Sequence, residues 1–367
     1  MRVDLLVDGA GFWSRLAPDL AEGRKQILGQ TLSFEGDRAG LGLGEALIAS
    51  PAADRRVVID EFTRHVMSDK WLFHPKHLFD QELKREVRST REVLDRMRAA
   101  GVVVRFTNPA GWLYARFPIR NHKKLIAIDG RVAYFGGINF SDHNFAWHDL
   151  MVRVEDEAFT RFLIEDYEWT WRGVDQATAR RFEGIEFHIL GGHRNEAQFS
   201  LLLGCIDGAR RRIFTQSPYI TAPVSEALQR ASARGVEVVI VAPSVNNFGL
   251  CRDHIHWKAA TGGMDLRTYP RGMTHMKAML IDDETLVLGS ANFDLWSYRF
   301  QQEYLCFVTR QDVIAQFKEK IEAPDLVLAQ PASPRRSFWG WLADRRLEWL
   351  ERLTLVANGR SWDPSGR

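Results

Sequence analysis

The sequence predicts an α/β protein made of two tandem α-β-α sandwich domains with mixed sheets, related by a pseudo-twofold axis and with the functional site at their interface. Two observations lead to this fold class. The motif H-x-K-x-x-x-x-D occurs twice, and similar strands and helices are predicted in the same order around each copy. The motif histidines, His122 and His275, are separated by about one domain length. The sequence therefore indicates a duplicated domain, not a solenoid of short repeats.

The first half of the chain contains alternating strands and helices. The predicted elements are strands at 27–34, 55–62, 101–106, 123–128, 131–137 and 149–154, and helices at 79–100 and 158–171. Apolar runs bounded by turn residues predict the strands. The first helix is predicted because Leu83, Val87 and Leu94 fall on one face. Asp129-Gly130 is a hairpin signal, so the motif strand is expected to pair with the strand that follows it.

The second half repeats this order. The predicted elements are strands at 211–217, 236–243, 265–270, 275–281, 285–290 and 303–309, and helices at 224–235, 247–260 and 312–321. Gly235, directly after a helical pattern, marks a helix end. The predicted organisation is an N-terminal extension at 1–24, a first domain at 25–180, a second domain at 181–328, and a Pro-rich linker with an amphipathic, Trp-rich helix at 329–367.

Composition and charge narrow the class of protein. The net charge of +2 is too small to indicate nucleic acid by itself. The three cysteines are scattered and odd in number, which predicts free thiols in a reducing compartment. The N-terminus has no apolar core of signal-peptide length, and no apolar run is long enough to span a membrane. A cytoplasmic location is therefore expected.

The doubled motif carries the predicted chemistry. Alternate side chains of a strand point to one face, so the His and Lys of each H-x-K are expected to point into one site. An Asn-Phe pair follows each motif at the same distance, and a carboxylate, Asp149 or Glu303, follows at nearly the same distance. Two copies that share the motif spacing, the Asn-Phe pair and the later carboxylate rarely arise by chance. The candidate catalytic residues are His122, Lys124, Asp129, Asn139, His275, Lys277, Asp282 and Asn292.

This set of side chains fits attack on a phosphodiester. One neutral imidazole would attack phosphorus and form a phosphohistidine, and the other would give a proton to the leaving alcohol. The lysines and asparagines would stabilise charge on the phosphate oxygens, so no cofactor and no metal ion is expected. Asp149 and Glu303 are expected to orient the imidazoles. The plainest role of Asp129 and Asp282 is to hold the turn that ends each motif strand.

The doubled motif, with its trailing G-G-x-N and G-S-x-N, resembles the phospholipase D superfamily over about residues 25–325. The segments SPYITAP, FGGINFSD, WHDL and GSANFDLWSYRFQQE are similar to bacterial cardiolipin synthases. Usual members of that group begin with two membrane-spanning helices, so this chain most resembles the short members without them. Gln301 stands where Asn is usual in the group.

By this resemblance, the reaction transfers a phosphatidyl group from one phosphatidylglycerol to another and releases glycerol. The resemblance favours His122 as the nucleophile, although the spacing leaves the two histidines equivalent. It implies an anionic phospholipid substrate and a peripheral place on the inner face of the cell membrane, and no nucleic acid partner is expected. The Trp-rich helix is expected either to lie on the membrane or to pack on the core.

Two other functions would use the same residues. A phospholipase D would pass the phosphatidyl group to water and release phosphatidic acid. A nuclease or phosphodiesterase acting on nucleic acid would favour a basic groove with strong salt dependence. The near-neutral charge and the Trp-rich helix argue mildly against the second of these functions.

Overall fold

The chain folds as two halves with the same order of elements. The fold comes from a computed structural model that describes residues 1–114, 116–192, 195–334 and 336–357. The first half contains β1 (Arg2–Val7), α1 (Asp8–Glu22), β2 (Gln26–Thr31), α2 (Arg38–Ala49), β3 (Asp54–Asp60), β4 (Val66–Met67), β5 (Lys70–Trp71), α3 (Gln81–Ala99), β6 (Val103–Thr107), β7 (Leu125–Ile128), β8 (Val132–Gly136), α4 (Asp142–Ala146), β9 (Leu150–Glu155) and α5 (Glu157–Trp171).

The second half starts with an added edge strand and then follows the first. Its elements are β10 (Thr178–Phe182), β11 (Ile185–Gly191), α6 (Glu196–Gly208), β12 (Arg212–Gln216), α7 (Val224–Ala233), β13 (Glu237–Pro243), α8 (Gly249–Gly262), β14 (Asp265–Tyr269), β15 (Ala278–Ile281), β16 (Thr285–Gly289), α9 (Leu295–Arg299), β17 (Gln302–Val308), α10 (Gln311–Phe317), α11 (Ala323–Leu328), β18 (Gln330–Pro331) and α12 (Phe338–Ala357).

Each half is built on one large mixed sheet. The first sheet has the order β1-β9-β8-β7-β2-β3-β6, and the second has the order β10-β11-β17-β16-β15-β12-β13-β14-β18. β2, β3 and β6 pair in parallel, as β12, β13 and β14 do. The motif strands β7 and β15 pair antiparallel with both of their neighbours. The predicted α/β fold class with mixed sheets in two tandem halves is confirmed.

The repeated unit includes residues 1–24, which the sequence pattern alone predicts to be an extension. β1 pairs antiparallel with β9 at the edge of the first sheet, as β11 pairs with β17 in the second. α1 follows β1 as α6 follows β11. Phe12, Leu16 and Leu20 of α1 are buried in the core of the first half. The first strand and helix of the repeat therefore lie in this segment.

Apolar clusters join the layers of the molecule. On the outer faces, α1, α2 and α3 cover the first sheet, and α6, α7 and α8 cover the second. Between the halves, α5 and α10 pack with side chains of both sheets in one cluster. Within it, Phe135 of β8 contacts Phe187 of β11, with ring centroids 4.9 Å apart. Because this core is shared, burial of apolar surface fixes the orientation of one half on the other.

The C-terminal helix α12 packs on α8 through a face that is not its aromatic one. Ala343 and Leu347 are buried, and the buried Asp344 lies 3.2 Å from Nδ1 of His254 and 3.1 Å from Nζ of Lys258. The exposed aromatic side chains of this helix are Phe338, Trp339, Trp341 and Trp349. Burial of these tryptophans in the core, one of the two expectations, is therefore wrong. Within the described ranges no helix, α12 included, has the length and hydropathy of a membrane span. The end of the predicted tail, 358–367, lies outside the described residues.

Candidate active site

The two motif segments meet at the interface between the halves. The backbone N–H of His122 donates to the carbonyl of Gln302, at 2.9 Å, and that of His275 donates to the carbonyl of His148, at 2.8 Å. Each motif histidine lies just before its strand and is held there by a hydrogen bond to the other half of the chain. These two equivalent bridges bring both imidazoles to the same place.

Each motif histidine also has its carboxylate partner in the other half. Nδ1 of His122 lies 2.8 Å from Oε1 of Glu303, and Nδ1 of His275 lies 2.7 Å from Oδ2 of Asp149. All four side chains are buried. A carboxylate at Nδ1 fixes the direction of the ring and directs the free Nε2 towards a reacting group.

The lysines of the motifs lie directly behind the imidazoles. Nζ of Lys124 donates to the carbonyl of His122, at 2.7 Å. Nζ of Lys277 lies 2.8 Å from Nδ1 of His275 and also donates to the carbonyl of that residue. Lys123, between His122 and Lys124, faces the opposite layer and pairs with Asp166 at 2.8 Å. The expected alternation of side chains along the motif strand is therefore present.

A cavity of about 400 Å³ opens over the two imidazoles. Four of the predicted site residues line it, namely His122, Asn139, His275 and Asn292. Nδ2 of Asn139 donates to Asn144, at 3.1 Å, and the buried Oδ1 of Asn292 has no hydrogen-bond partner among the described residues. The rings of Trp147 and Tyr219 flank His275, with centroids 4.9 and 6.1 Å from its own. The cavity thus combines amides, imidazoles and aromatic walls.

Burial dominates the electrostatics of the site. It lowers the pKa of His275 to about 3, with a contribution from Lys277, and it lowers the pKa of His122 in the same direction. Burial also lowers the pKa of Lys124 to about 7 and that of Lys277 to about 8. Burial destabilises the charged imidazoles more than their carboxylate partners stabilise them, so both imidazoles are neutral at neutral pH in the empty site.

The carboxylates respond to burial in two ways. Burial acts to raise the pKa of Asp149, but the charge of Lys277 and the bond to His275 hold this pKa below its usual range. Burial raises the pKa of Asp294, which lines the cavity, to about 7. Asp294 also caps α9 by accepting from the backbone N–H of Ser297, at 2.9 Å. Asp149 is therefore an anion beside His275, whereas Asp294 titrates near neutral pH.

Asp129 and Asp282, which the motif includes among the catalytic candidates, do not line this cavity. Each has a left-handed backbone, with φ of 54°, at the turn that ends a motif strand. Asp129 accepts from the backbone N–H groups that start β2, and Asp282 accepts from those that start β12. The structure thus places them at the far end of the motif strands, where they hold the turn.

The residues that support Glu303 were not predicted from the sequence. Oγ of Ser290 donates to Oε2 of Glu303, at 2.5 Å, and Oγ of Ser297 donates to Oε1, at 2.9 Å. Both serines lie in the GSANFDLWS segment, and its first serine comes two residues before the motif asparagine. Near the other motif histidine, Gly137 leaves room for the carboxylate of Asp149. A Cβ at position 137 would collide with that carboxylate.

One group of three carboxylates among the described residues lies close enough together to share a metal ion. Oxygens of Glu35, Asp37 and Glu86 all lie within 4.8 Å of one another. Burial raises the pKa of Asp37 to about 6 and that of Glu86 to about 7. Protonation therefore relieves part of the repulsion between these groups. Glu35 lines the cavity, but the group stands apart from the two imidazoles and their carboxylate partners.

Comparison with known proteins places this geometry in a family. A family model described as "Cardiolipin synthase, PLD-like domain" matches residues 45–171 and 202–323, which is more than half of the chain and includes both motifs. The chain belongs to this family. The predicted membership of the phospholipase D superfamily, in its cardiolipin synthase branch, is confirmed, and so is the prediction of a phosphatidyltransferase-type enzyme.

Individual members of the cardiolipin synthase family align over most of the chain. "Cardiolipin synthase 1" of Staphylococcus epidermidis is 24% identical over 358 residues, which cover 88% of this chain and 67% of that protein. "Major cardiolipin synthase ClsA" of Bacillus subtilis is 25% identical, covering 87% of this chain and 68% of that protein. The chain thus spans about two thirds of the length of these relatives.

A solved structure supports the fold. The phosphatidylserine synthase of Haemophilus influenzae superimposes with a TM-score of 0.65, over 98% of this chain and 94% of that one, at 13% sequence identity. At this identity the likeness concerns the fold alone. It agrees with the two-sheet architecture of the chain.

Proposed function

We propose that this member of the cardiolipin synthase family joins two phosphatidylglycerols into cardiolipin and releases glycerol. The observation that carries the proposal is that His122 and His275 line one cavity, each with its Nδ1 on a buried carboxylate. This arrangement leaves the two Nε2 atoms for chemistry at phosphorus. The names of the relatives support the choice of lipid substrates.

In the first half-reaction, Nε2 of one histidine attacks the phosphorus of phosphatidylglycerol. A P–N bond forms and the P–O bond to the glycerol headgroup breaks, which leaves the phosphatidyl group on a phosphohistidine. The other histidine, protonated at Nε2, gives its proton to the leaving glycerol oxygen. In the second half-reaction, a glycerol hydroxyl of another phosphatidylglycerol gives its proton to that histidine and attacks phosphorus, so that the P–N bond breaks and cardiolipin leaves.

The protonation states follow from the charge that the substrate brings. A neutral imidazole suits the nucleophile, whereas the proton donor must be charged. The phosphodiester is an anion, and its arrival raises the pKa of the imidazole beside it and of Lys124 and Lys277. Substrate binding therefore charges the proton donor and the two lysines behind the imidazoles together.

The remaining side chains are proposed to orient the reacting groups. Asn139 and Asn292 would donate hydrogen bonds to the phosphate oxygens, each typically worth a few kcal/mol in the transition state. Asp149 and Glu303 would hold each imidazole with its proton on Nδ1. Asp129 and Asp282 would act through the position of the motif strands and not through contact with the substrate.

The acidic side chains that line the cavity favour a lipid over a polynucleotide as the substrate. Carboxylates of Glu35, Asp69 and Asp294 line the cavity, and a run of phosphates is normally bound by a groove of basic side chains. A lipid with one phosphate and a hydroxyl-rich headgroup suits this lining better, because carboxylates accept hydrogen bonds from hydroxyls. Since both substrates are bilayer lipids, we propose peripheral attachment to the inner face of a bacterial cell membrane.

The test is mass spectrometry of the products after incubation of the full chain with phosphatidylglycerol vesicles. Cardiolipin with free glycerol is expected. Phosphatidic acid alone would mean that water is the acceptor, and the protein would then be a phospholipase D. Absence of both products would contradict the lipid substrate. His256→Ala, on α8 and outside the cavity, is the matched control for His122→Ala, which should make neither product.

A further inference from the structure

Two long connections of the first half have no equivalent in the second. Residues 61–80 join β3 to α3, whereas 244–248 join β13 to α8. Residues 108–124 join β6 to β7, whereas 270–277 join β14 to β15. Connections of this length in a compact domain usually serve a function. They are two of the places where the structure departs from its own pseudo-symmetry.

These two connections pack against each other beside the cavity. The ring of Trp71 contacts that of Phe117, with centroids 4.9 Å apart, and the ring of His65 contacts that of Tyr114, at 5.2 Å. Phe62, at the start of the first connection, lines the cavity. The inner side of this layer is therefore a packed aromatic cluster that continues into the wall of the candidate active site.

The outer side of the same layer is apolar and exposed. Phe79 is 84% exposed, Trp112 is 85% exposed and Leu113 is 75% exposed. We give the name apolar rim to six exposed apolar side chains, five on the two connections and one in the second half: Phe73, Leu78, Phe79, Trp112, Leu113 and Phe248. Phe248 comes from the second half and also lines the cavity, so the rim reaches both halves.

Two residues at the exposed turn of the second connection have a strained backbone. Leu113 and Tyr114 have φ of 51° and 58°, in the left-handed region that non-glycine residues rarely adopt. A strained turn that presents a Trp-Leu pair to solvent has no benefit for folding, since both side chains lose burial. Strain of this kind is typically found where a protein binds something.

The charge around the rim is basic. The exposed basic side chains on the two connections and the first turns of α3 are Arg64, Lys76, Lys84, Arg85, Arg88 and Arg116. The exposed acidic side chains over the same stretch are Asp69 and Glu82. Large apolar side chains bordered by lysines and arginines are the pattern of a surface that inserts into an anionic bilayer.

We propose that the apolar rim docks the protein on an anionic lipid bilayer and presents the cavity to the lipid headgroups. This inference rests on the proposed function, and the size of the cavity supports it. A cavity of about 400 Å³ can hold a phosphate and a glycerol headgroup, but it is at the small end for a drug-sized ligand. The two acyl chains of a substrate lipid therefore stay outside, in the bilayer that the rim contacts.

The rim is tested by flotation of the full chain with phosphatidylglycerol vesicles. The rim variant is Phe79→Ser/Trp112→Ser/Leu113→Ser, and the matched tail variant is Phe338→Ser/Trp339→Ser/Trp349→Ser, which changes exposed aromatics of α12 only. The rim variant is expected to bind vesicles at least about tenfold more weakly, because binding scales with the apolar area inserted. The tail variant measures the contribution of α12, and a larger loss of vesicle binding in the tail variant than in the rim variant would also overturn the proposal. Vesicle binding of the rim variant at the unchanged level would overturn the proposal.

A second measurement separates docking from catalysis. With a short-chain phosphatidylglycerol below its micelle concentration, the rim variant should turn over within about twofold of the unchanged chain, because no bilayer is present. Equal losses on short-chain and vesicle substrates would contradict a docking role. If the unchanged chain binds vesicles through the rim but turns over neither substrate, the proposed reaction fails while the docking surface stands.

Charge provides an independent arm of the test. Lys84→Gln/Arg88→Gln should weaken binding to phosphatidylglycerol vesicles by about fivefold for each charge removed. The same variant should bind neutral phosphatidylcholine vesicles as the unchanged chain does. An equal effect on both kinds of vesicle would contradict the electrostatic part of the proposal.

Discussion

Nδ1 of His122 lies 2.8 Å from Oε1 of Glu303, a carboxylate that belongs to the other half of the chain. The mirror pair, His275 with Asp149, crosses the interface in the opposite direction at 2.7 Å. Neither half therefore contains both a motif histidine and the carboxylate that pairs with it. The two crossed pairs, together with the shared apolar core, make the candidate site a property of the assembled chain.

The crossed pairs predict non-additive kinetics. Glu303→Gln should lower kcat by about a thousandfold, because a neutral partner no longer holds the proton of His122 on Nδ1. The double variant His122→Ala/Glu303→Gln should be no slower than His122→Ala alone, since the carboxylate acts through that imidazole. Steady-state kinetics of the folded variants measures both effects. Independent, multiplicative losses would contradict the pairing, and the exposed Glu284→Gln is the control.

Both histidines are predicted to be essential. His122→Ala and His275→Ala should each reduce turnover by about a thousandfold or more, because each removes a group that no neighbour replaces. Rapid quench with radiolabelled lipid, followed by peptide mapping, is expected to find the phosphatidyl label on His122. A label on His275 would reverse the two roles, and substantial turnover by either variant would remove the two-histidine mechanism.

Chelation of metal ions is predicted to leave turnover unchanged. In the proposed mechanism, Lys124 and Lys277 supply the positive charge beside the phosphate. Turnover of short-chain phosphatidylglycerol should be the same with and without excess chelator. A loss that added Mg²⁺ or Ca²⁺ restores would direct attention to the carboxylates of Glu35, Asp37 and Glu86.

The pKa values predict a bell-shaped pH profile for kcat/KM. Burial lowers the pKa of Lys124 to about 7 and that of Lys277 to about 8, so both lysines lose their charge as pH rises through this range. kcat/KM should therefore fall as pH rises above about 7, where Lys124 begins to lose its charge. It should also fall on the acid side, at a pH below the ordinary imidazole range, because burial lowers the pKa at which the nucleophilic His122 gains a proton. Lys124→Arg keeps its charge and should move the alkaline limb upward, and a flat profile to about pH 10 would contradict a role for these lysines.

Asp129 and Asp282 are predicted to matter for stability more than for chemistry. Each carboxylate accepts from consecutive backbone N–H groups at the start of a strand. Asp129→Ala should lower the free energy of unfolding by about 2–4 kcal/mol, as expected when several hydrogen bonds to one charged group are lost. Urea denaturation measures this change. The exposed Glu92→Ala, on α3, should have little effect, and a large loss of kcat in folded Asp129→Ala would instead assign that carboxylate to the reaction.

Much of the fold follows from local sequence patterns. The run VEVVIVAP predicts β13, and the apolar stripe of Leu83 and Leu94 predicts α3, because a buried strand and a surface helix each have a distinct period. β1 and α1 are not predicted in this way, because Asp4, Asp8 and Arg15 interrupt the apolar pattern. The i, i+4 and i+8 spacing of Phe12, Leu16 and Leu20 is the signal that would have found α1.

The site is only partly predictable from sequence. The doubled motif indicates the histidines, lysines and asparagines, since their spacing follows strand geometry. It cannot indicate which carboxylate meets which imidazole, because that depends on how the halves pack, for example on the bond from His122 to Gln302. The apolar rim cannot be predicted from the sequence either, because the pattern of a long connection does not show which of its aromatic side chains are exposed.

The crossed pairs also decide when chemistry can begin during synthesis of the chain. A ribosome translates Glu303 long after His122, so an unfinished chain holds an imidazole that lacks its carboxylate partner. Under the proposed mechanism, such a nascent chain is inert towards membrane lipids even when its first sheet has folded. Under that mechanism, activity starts only once β17, which contains Glu303, has been added to the second sheet.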